Sequence, residues 1–193
     1  SPYAVGKYGG ELYAKMKQHQ TGNKIVGVRP FNTFGPYQSD RAIIPELIIK
    51  CLRGKKINTT EGKQTREFNY VENIIEGMIK IVEHNFSSWV TMNIGSGHEI
   101  SIRDLVELIH RLSESDSELL IGSLPNRPTE IWRMSANTDK AKELIEWAPE
   151  INFEEGLVKT IEWYRNYLNV YYNNDSDLNK LNVSNMNNGK SVE

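Results

Sequence analysis

The sequence Ser1-Pro2-Tyr3-Ala4-Val5-Gly6-Lys7 opens the chain and predicts the start of a helix, with Ser1 as its cap and Pro2 at its first position. Positions four apart lie on one face of a helix, so Tyr3 and Lys7 present a phenol and an ammonium group to the same small volume. The ammonium and the positive N-terminal end of the helix both favour the phenolate. The pair is therefore a candidate general base for a substrate alcohol, although the same spacing also occurs by chance.

The helix that begins here is predicted to span residues 2–20 and to end at the glycine of residues 21–23. It contains Gly6, Gly9 and Gly10, and each glycine inside a helix costs up to about 1 kcal/mol relative to alanine. We therefore expect another part of the molecule to pack close to the helix backbone at these positions.

A short β-branched run from Lys24 to Arg29 follows the helix and predicts a buried strand, ended by Pro30. A helix followed at once by a strand is typical of an α/β sheet. The next residues, 29–37, form a loop rich in proline, asparagine and aromatic residues. Ligands in open α/β sheets bind at the carboxyl ends of strands, so this loop is either a ligand-binding loop or an ordinary turn.

The rest of the chain alternates helical and strand patterns up to about residue 172. The clearest helix is 101–112, where Ser101 caps the helix and Asp104 supplies the acid of a capping box. From Asn173 the sequence is polar, asparagine-rich and without period, so residues 173–193 are predicted to be a disordered tail. Further helices are predicted at 45–52, 72–84, 138–146 and 153–171, and further strands at 55–60, 89–94 and 119–121.

Composition excludes several classes of protein. The 193 residues suffice for one ordinary domain, and the net charge of -2 gives no sign of a nucleic-acid or anionic-membrane partner. A single cysteine, Cys51, excludes an intramolecular disulfide, and the four histidines show no metal-ligand spacing. No apolar run approaches the ~20 residues that span a bilayer, and no signal peptide is visible, although the second absence says little by itself. We expect a cytoplasmic protein.

Five ordered landmarks within residues 1–170 resemble one family, the NAD-dependent epimerase/dehydratase family of extended short-chain dehydrogenase/reductases. Each landmark is weak alone, and their order makes the resemblance specific. The loop at Asn32 and its continuation into residues 42–45 look most similar to 4,6-dehydratases of deoxysugar or nonulosonic-acid synthesis. The landmarks are Tyr3-x-x-x-Lys7, Arg29-Pro30-Phe31-Asn32-x-Phe34-Gly35-Pro36, Gln64-x-Arg66-Glu67-Phe68-x-Tyr70-Val71, Asn93-Ile94-Gly95-Ser96-Gly97, and Arg127-Pro128 with Asp139-Lys140-Ala141 and Trp147-x-Pro149.

The resemblance implies an NAD site at the first helix. Tyr3 would be the catalytic base on the 4-hydroxyl of the sugar, and Lys7 would hold the nicotinamide ribose and lower the pKa of the phenol. Pro30 and Phe31 would border the nicotinamide. No metal is implied.

The resemblance also implies a site for a nucleoside-diphosphate sugar of UDP or dTDP type. Asn32 would contact the diphosphate, Arg66 and Arg127 would neutralise it, and Asn93 would lie nearby. Guanidinium groups suit this role because they form forked, charge-assisted hydrogen bonds to phosphate oxygens. For either arginine the alternative is an ordinary solvated loop position.

The sequence departs from the family pattern in two ways. Glu67 and Asn73 stand where aspartates are common, and Thr129-Glu130 replaces a usual Gly-Asp. No Gly-x-x-Gly-x-x-Gly turn follows a strand, so the N-terminal NAD-binding βαβ half is expected to be missing. The expected fold class is therefore α/β, with residues 1–172 forming the C-terminal part of a Rossmann-type doubly wound fold plus a smaller substrate-binding domain.

The activity implied is that of an NAD-dependent nucleotide-sugar 4,6-dehydratase, present as a fragment. Such an enzyme oxidises the sugar at C4, eliminates water across C5 and C6, and returns the hydride to C6. A 4-epimerase and a non-catalytic nucleotide-sugar-binding module remain alternatives. We expect the chain alone to be inactive, because hydride transfer needs the cofactor held in place. The family dimerises through the Tyr-Lys helix and the helix before it, so the parent is expected to be a homodimer.

Overall fold

The computed structural model describes residues 1–171, and the predicted tail at 173–193 lies outside the described residues. Each helix predicted from the sequence, and each strand predicted at 24–29, 55–60, 89–94 and 119–121, is present, with ends that differ by at most two residues. In chain order the elements are α1 (Pro2–Thr21), β1 (Val26–Pro30), β2 (Thr33–Phe34), α2 (Ile43–Leu52), β3 (Ile57–Thr59), β4 (Thr65–Arg66), β5 (Asn69–Tyr70), α3 (Val71–Glu83), β6 (Val90–Ile94), β7 (Ile100–Ser101), α4 (Ile102–Leu112), β8 (Leu119–Ile121), α5 (Asp139–Ile145) and α6 (Phe153–Tyr171).

Most strands pair in parallel with a partner far along the chain. β1 pairs with β6 in a register that runs from Val26 opposite Val90 to Pro30 opposite Ile94. β2 pairs with β5 and β3 with β8, also in parallel, whereas β4 and β7 are antiparallel. Parallel pairing requires long crossover connections, which here contain helices, and this confirms the α/β class predicted from the sequence.

Two hydrophobic cores hold the helices and strand pairs together. The first lies where α2, α4 and α6 meet, and Ile48, Leu105 and Leu157 are completely buried there. The second packs α3 and α5 around β6, with Met92 and Trp147 at its centre. Phe34 of β2 and Tyr70 of β5 belong to the first core. Asn32 and Phe68, which directly precede these two strands, line the candidate site.

Gly156 in α6 allows a close approach between that helix and β5. A Cβ added at this position would lie 2.8 Å from Cβ of Tyr70 and 3.1 Å from the ring of Phe34. No side chain fits in such a gap without displacing one of its neighbours. The glycine therefore sets how closely α6 covers the aromatic residues behind the site.

Helix boundaries follow local chemistry. The Ser101 hydroxyl accepts the backbone N–H of Asp104 at 3.0 Å and donates to its carboxylate at 2.6 Å, which confirms the predicted cap of α4. α2 begins at Ile43, two residues earlier than predicted, so Pro45 lies in its first turn. Proline is tolerated there because the first N–H groups of a helix have no partner within the helix.

Helix α1 lies on the outside of the described region. Ser1 caps it, accepting the N–H of Ala4 at 3.2 Å, and Gly22 ends it with a φ of 68°. None of its residues is buried, and a Cβ at Gly6, Gly9 or Gly10 would meet nothing within 4 Å. The close neighbour that the glycines predicted is therefore not among residues 1–171.

Candidate functional site

An open cleft of about 470 Å³ lies between α2, β3, β4, α4 and the loop of residues 122–137. Three of the four residues predicted to bind a nucleotide sugar line it, namely Asn32, Arg66 and Arg127. They come from positions up to 95 apart in the sequence, and the fold brings them to one surface. The remaining lining residues are Ile43, Glu46, Leu47, Lys50, Asn58, Thr59, Thr60, Gln64, Phe68, Ile102, Val106, Leu124, Pro125 and Glu130.

Arg66 is held in a fixed position at the edge of the cleft. Its Nη1 donates to the backbone oxygen of Thr65 at 2.7 Å, and its Nη2 donates to Oε1 of Glu130, also at 2.7 Å. The side chains of Arg66 and Glu130 are only 16% and 13% exposed. Glu130, noted in the sequence as a departure from the family pattern, is thus the direct partner of the predicted phosphate-binding arginine.

Arg127 differs from the other cations of the cleft because, among the described residues, no carboxylate is paired with it. It is exposed and sits on a turn in which the N–H of Glu130 donates to its backbone oxygen at 3.1 Å. Lys50 is neutralised by Glu46, one helical turn away on α2, at 2.6 Å. Arg127 therefore supplies the uncompensated positive charge that an anionic ligand would meet first.

The loop of residues 122–137 that carries Arg127 is tied down on both sides of the cleft. The N–H of Leu124 donates to the oxygen of Thr59 at 3.0 Å, and the oxygen of Trp132 accepts the N–H of Thr65 at 2.8 Å. Arg133 adds an ion pair with Glu99 at 2.7 Å, and its hydrogen bond lowers the pKa of that carboxyl group. The loop thereby spans the mouth of the cleft without helix or strand of its own.

Asn32 lies in the cleft at the turn between β1 and β2. Its Nδ2 donates to the backbone oxygen of Glu67 at 3.0 Å, and its own backbone oxygen accepts the N–H of Asn69 at 2.8 Å. Asn93, the fourth predicted residue, does not line the cleft. It is the penultimate residue of β6, opposite Arg29, and its Nδ2 donates to the backbone oxygen of Asn137 at 3.1 Å.

Two polar residues that the sequence showed only as departures from the family pattern are buried, Glu67 beside the cleft and Asn73 away from it. Glu67 is completely buried and accepts backbone N–H groups from Ser96 and Ala136. Asn73 accepts the N–H groups of Glu150 and Ile151 at 3.1 and 3.0 Å and donates to the oxygen of Ile151 at 2.8 Å. An aspartate could accept both N–H groups but could not donate, so the asparagine suits this contact better.

Tyr3 and Lys7 lie together on the exposed face of α1, as the spacing predicted. The Nζ of Lys7 is 5.6 Å from the centroid of the Tyr3 ring, and the tyrosine is 73% exposed. Neither residue lines the cleft that contains Arg66. The pair thus forms a second, separate part of the candidate site within the described residues.

Helix α1 is attached to the sheet through Glu11. This carboxylate accepts two hydrogen bonds from Arg29 on β1, both at 2.8 Å, and one from Thr91 on β6 at 3.2 Å. The hydrogen bond from Arg29 is the main cause that lowers the pKa of Glu11. Pro30 and Phe31 follow Arg29 at the carboxyl end of β1, where Pro30 is exposed and Phe31 half-buried.

Comparisons with known proteins agree with this fold. UDP-glucuronic acid decarboxylase 1 of Xenopus tropicalis is 36% identical over 165 residues, which are 84% of this chain and 38% of that protein. The solved structure of a UDP-glucose 4-epimerase from Thermotoga maritima, with UDP-glucose, superposes with a TM-score of 0.81 and 27% identity. The match covers 87% of this chain and 54% of the epimerase.

A dTDP-glucose 4,6-dehydratase from Streptomyces venezuelae, solved with NAD bound, gives a TM-score of 0.79 at 25% identity over 89% of this chain and 53% of that one. The fold is therefore that of the nucleotide-sugar epimerases and dehydratases in the short-chain dehydrogenase/reductase class. Within that class, the chain belongs to the GDP-mannose 4,6 dehydratase family, whose model matches residues 1–160. The chain spans about half the length, or less, of the curated relatives compared with it. None of the described helices is long and apolar enough to cross a membrane.

Proposed function

We propose that this chain is the substrate-binding part of an NAD-dependent nucleotide-sugar 4,6-dehydratase and carries its catalytic Tyr-Lys pair. The observation that supports this most directly is the cleft in which Asn32, Arg66 and Arg127 meet. Two guanidinium groups and an amide around one open volume suit the oxygens of a diphosphate. A UDP or dTDP sugar would place its diphosphate there.

In this proposal the two arginines have different roles. Arg127 is exposed and has no carboxylate partner among the described residues, so it would attract the diphosphate. Arg66 is fixed by Thr65 and Glu130 and offers a preformed donor. Asn93, held by Asn137 outside the cleft, would reach the sugar nucleotide only from the carboxyl end of β6.

Tyr3 and Lys7 fit the chemistry at the sugar. The phenol and ammonium are close to each other and accessible on α1, and the open backbone at Gly6, Gly9 and Gly10 leaves room for a flat ligand group. When bound, NAD would supply the hydride acceptor for oxidation at C4 and the donor for its return. Tyr3 would remove the proton of the 4-hydroxyl, and Lys7 would stabilise the phenolate and hold the nicotinamide ribose, with Pro30 and Phe31 beside it.

A 4-epimerase is the second candidate, and the high structural similarity to the UDP-glucose 4-epimerase favours it. Both activities start with oxidation at C4 and use the same Tyr-Lys pair. They differ afterwards, because a dehydratase eliminates water and an epimerase returns the hydride to the other face of the sugar. Product analysis on an enzyme that contains both halves separates them, since only the dehydratase yields a 4-keto-6-deoxy sugar.

A homodimer through α1 is also part of the proposal. The exposed face of α1 carries large apolar side chains, among them Tyr8, Leu12, Tyr13 and Met16, each between 44% and 58% exposed. Such a face is typical of helices that pack against another helix. The parent enzyme would bury this face of α1 between its two subunits. We place that enzyme in the cytoplasm.

The test of the cleft is calorimetric titration of the 193-residue chain with UDP and dTDP. Arg127→Gln should weaken binding about tenfold or more, because a charge-assisted hydrogen bond contributes ~1.5–3 kcal/mol. Arg133→Gln is the matched control, since Arg133 is an exposed arginine of the same loop outside the cleft. Equal affinities for the two variants would contradict the proposed role of Arg127.

The chain should bind UDP without NAD and should not turn over a UDP sugar when NAD is added. Binding without turnover is also what a non-catalytic binding module would show. Adding a separately produced nucleotide-binding half distinguishes the two, because only the enzyme hypothesis predicts that activity appears and that Tyr3→Phe abolishes it. Turnover by the chain alone would contradict the proposal that it needs that half.

A further inference from the structure

Glu67 is a completely buried carboxylate to which the proposed function assigns no role. It accepts the backbone N–H of Ser96 at 3.0 Å, the backbone N–H of Ala136, and the side-chain Nδ2 of Asn69 at 3.0 Å. Among residues 1–171 no lysine, arginine or histidine is paired with it. A buried polar group without hydrogen-bond partners is costly, and these three N–H donors satisfy both oxygens of the Glu67 carboxyl group.

Asn69 is two residues from Glu67, whereas the other two donors, Ser96 and Ala136, come from separate segments that each carry a predicted site residue. Ser96 lies two residues after the end of β6, the strand that contains Asn93, and Ala136 is near the end of the loop that carries Arg127. The backbone of Glu67 adds two more contacts. Its N–H donates to the oxygen of Met134 at 3.2 Å, and its oxygen accepts Nδ2 of Asn32 at 3.0 Å.

We infer that Glu67 is the positioning residue of the diphosphate cleft: its buried carboxylate and backbone set the placement of Asn32 and of the Arg127 loop relative to Arg66. Glu67 itself does not touch the ligand. This inference rests on the proposed function of the cleft, because positioning matters only if these three residues bind one ligand.

The length of the side chain is part of the arrangement. A Cβ at Gly95 would lie 2.2 Å from Oε1 of Glu67, so the glutamate fills the space that a larger residue at position 95 would need. Glu67→Asp withdraws the carboxylate by one carbon–carbon bond, about 1.5 Å. The N–H groups of Ser96 and Ala136 then lose their acceptor. The loop of residues 122–137 is no longer held in its position relative to Arg66.

The test compares Glu67→Asp with Asn73→Ala in the 193-residue chain. Asn73 is a matched control because it is also buried, makes three hydrogen bonds to the backbone of Glu150 and Ile151, and does not line the cleft. Both variants should lower stability. Only Glu67→Asp should weaken UDP binding, by about 10-fold to 100-fold, as expected when site groups shift by about 1 Å.

Hydrogen exchange and a double variant test the same inference without ligand. Glu67→Asp should accelerate exchange at residues 95–97 and at 127–136 together, and Asn73→Ala should accelerate neither. Gly95→Ala should destabilise the wild-type chain more than it destabilises the Glu67→Asp variant, because the shorter side chain vacates the space.

Each outcome decides between the two proposals. Unchanged exchange in both segments, or equal loss of UDP affinity in the two variants, would overturn the positioning role. The wild-type chain could bind no UDP while the exchange and double-variant results are as expected. The proposed function of the cleft would then fail, and with it the role of Glu67 in positioning groups for a ligand. The carboxylate would only hold the loops together.

Discussion

Arg66→Gln should destabilise the chain by about 2 kcal/mol, because it leaves the carboxylate of Glu130 without its cation. Removing one partner of a fully buried ion pair costs ~3–5 kcal/mol. The two side chains here are 16% and 13% exposed, so water reduces that cost. The bond from Nη1 to the oxygen of Thr65 is lost as well, and its smaller contribution lies within the same estimate.

The assay is urea-induced unfolding of the single and double variants. Arg66→Gln/Glu130→Gln should recover about 1 kcal/mol of the loss, because no buried charge is then left unpaired. Arg133→Gln is the control, since that ion pair has the same 2.7 Å distance but an arginine that is 80% exposed, and we expect a change below about 0.5 kcal/mol. Additive losses in the double variant, or equal effects at Arg66 and Arg133, would refute the reasoning.

Three further predictions concern the framework around the site. Gly156→Ala should cost about 1–2 kcal/mol in urea unfolding, since overpacking outweighs helix propensity. Gly9→Ala, in open space, should instead stabilise the chain by up to about 1 kcal/mol, and a stabilised Gly156→Ala would contradict the reasoning. Asn73→Asp should cost about 1–2 kcal/mol at neutral pH because the donor to a backbone carbonyl is lost, and acid should reduce the difference. The pKa of Glu11 is lowered by Arg29, so its contribution is present at neutral pH and is lost as the pH falls through its folded value. Protease cleavage within α1 should therefore accelerate in acid, and Glu11→Gln should show no such dependence.

The sequence was a good guide to the elements because local signals were strong. Ser101 and Asp104 form the expected cap, and the β-branched run after Lys24 became β1. The ends moved by up to two residues where tertiary contacts decide them, as at the start of α2. The segment after Gln64 was harder, since it forms two strands of two residues each, which pair with different partners.

The candidate site was predictable only in part. Asn32, Arg66 and Arg127 could be named from motifs, and the fold brings them to one cleft. The pairing of Arg66 with Glu130 could not be derived from the sequence, because the two residues are 64 positions apart. Glu130 reaches Arg66 only through a turn in a loop without regular secondary structure. The same holds for Glu67, whose burial depends on backbone donors from positions 96 and 136.

The sequence by itself determined the α/β class, the helix that carries Tyr3 and Lys7, and the family to which the chain belongs. These follow from periodicity, capping residues and short motifs, which act over a few residues. The tertiary structure alone decided which polar groups share a cleft, that Asn93 stays outside it, and that a buried carboxylate ties the site together. Such contacts join residues distant in sequence, and only chain folding sets their distances, burial and charge balance.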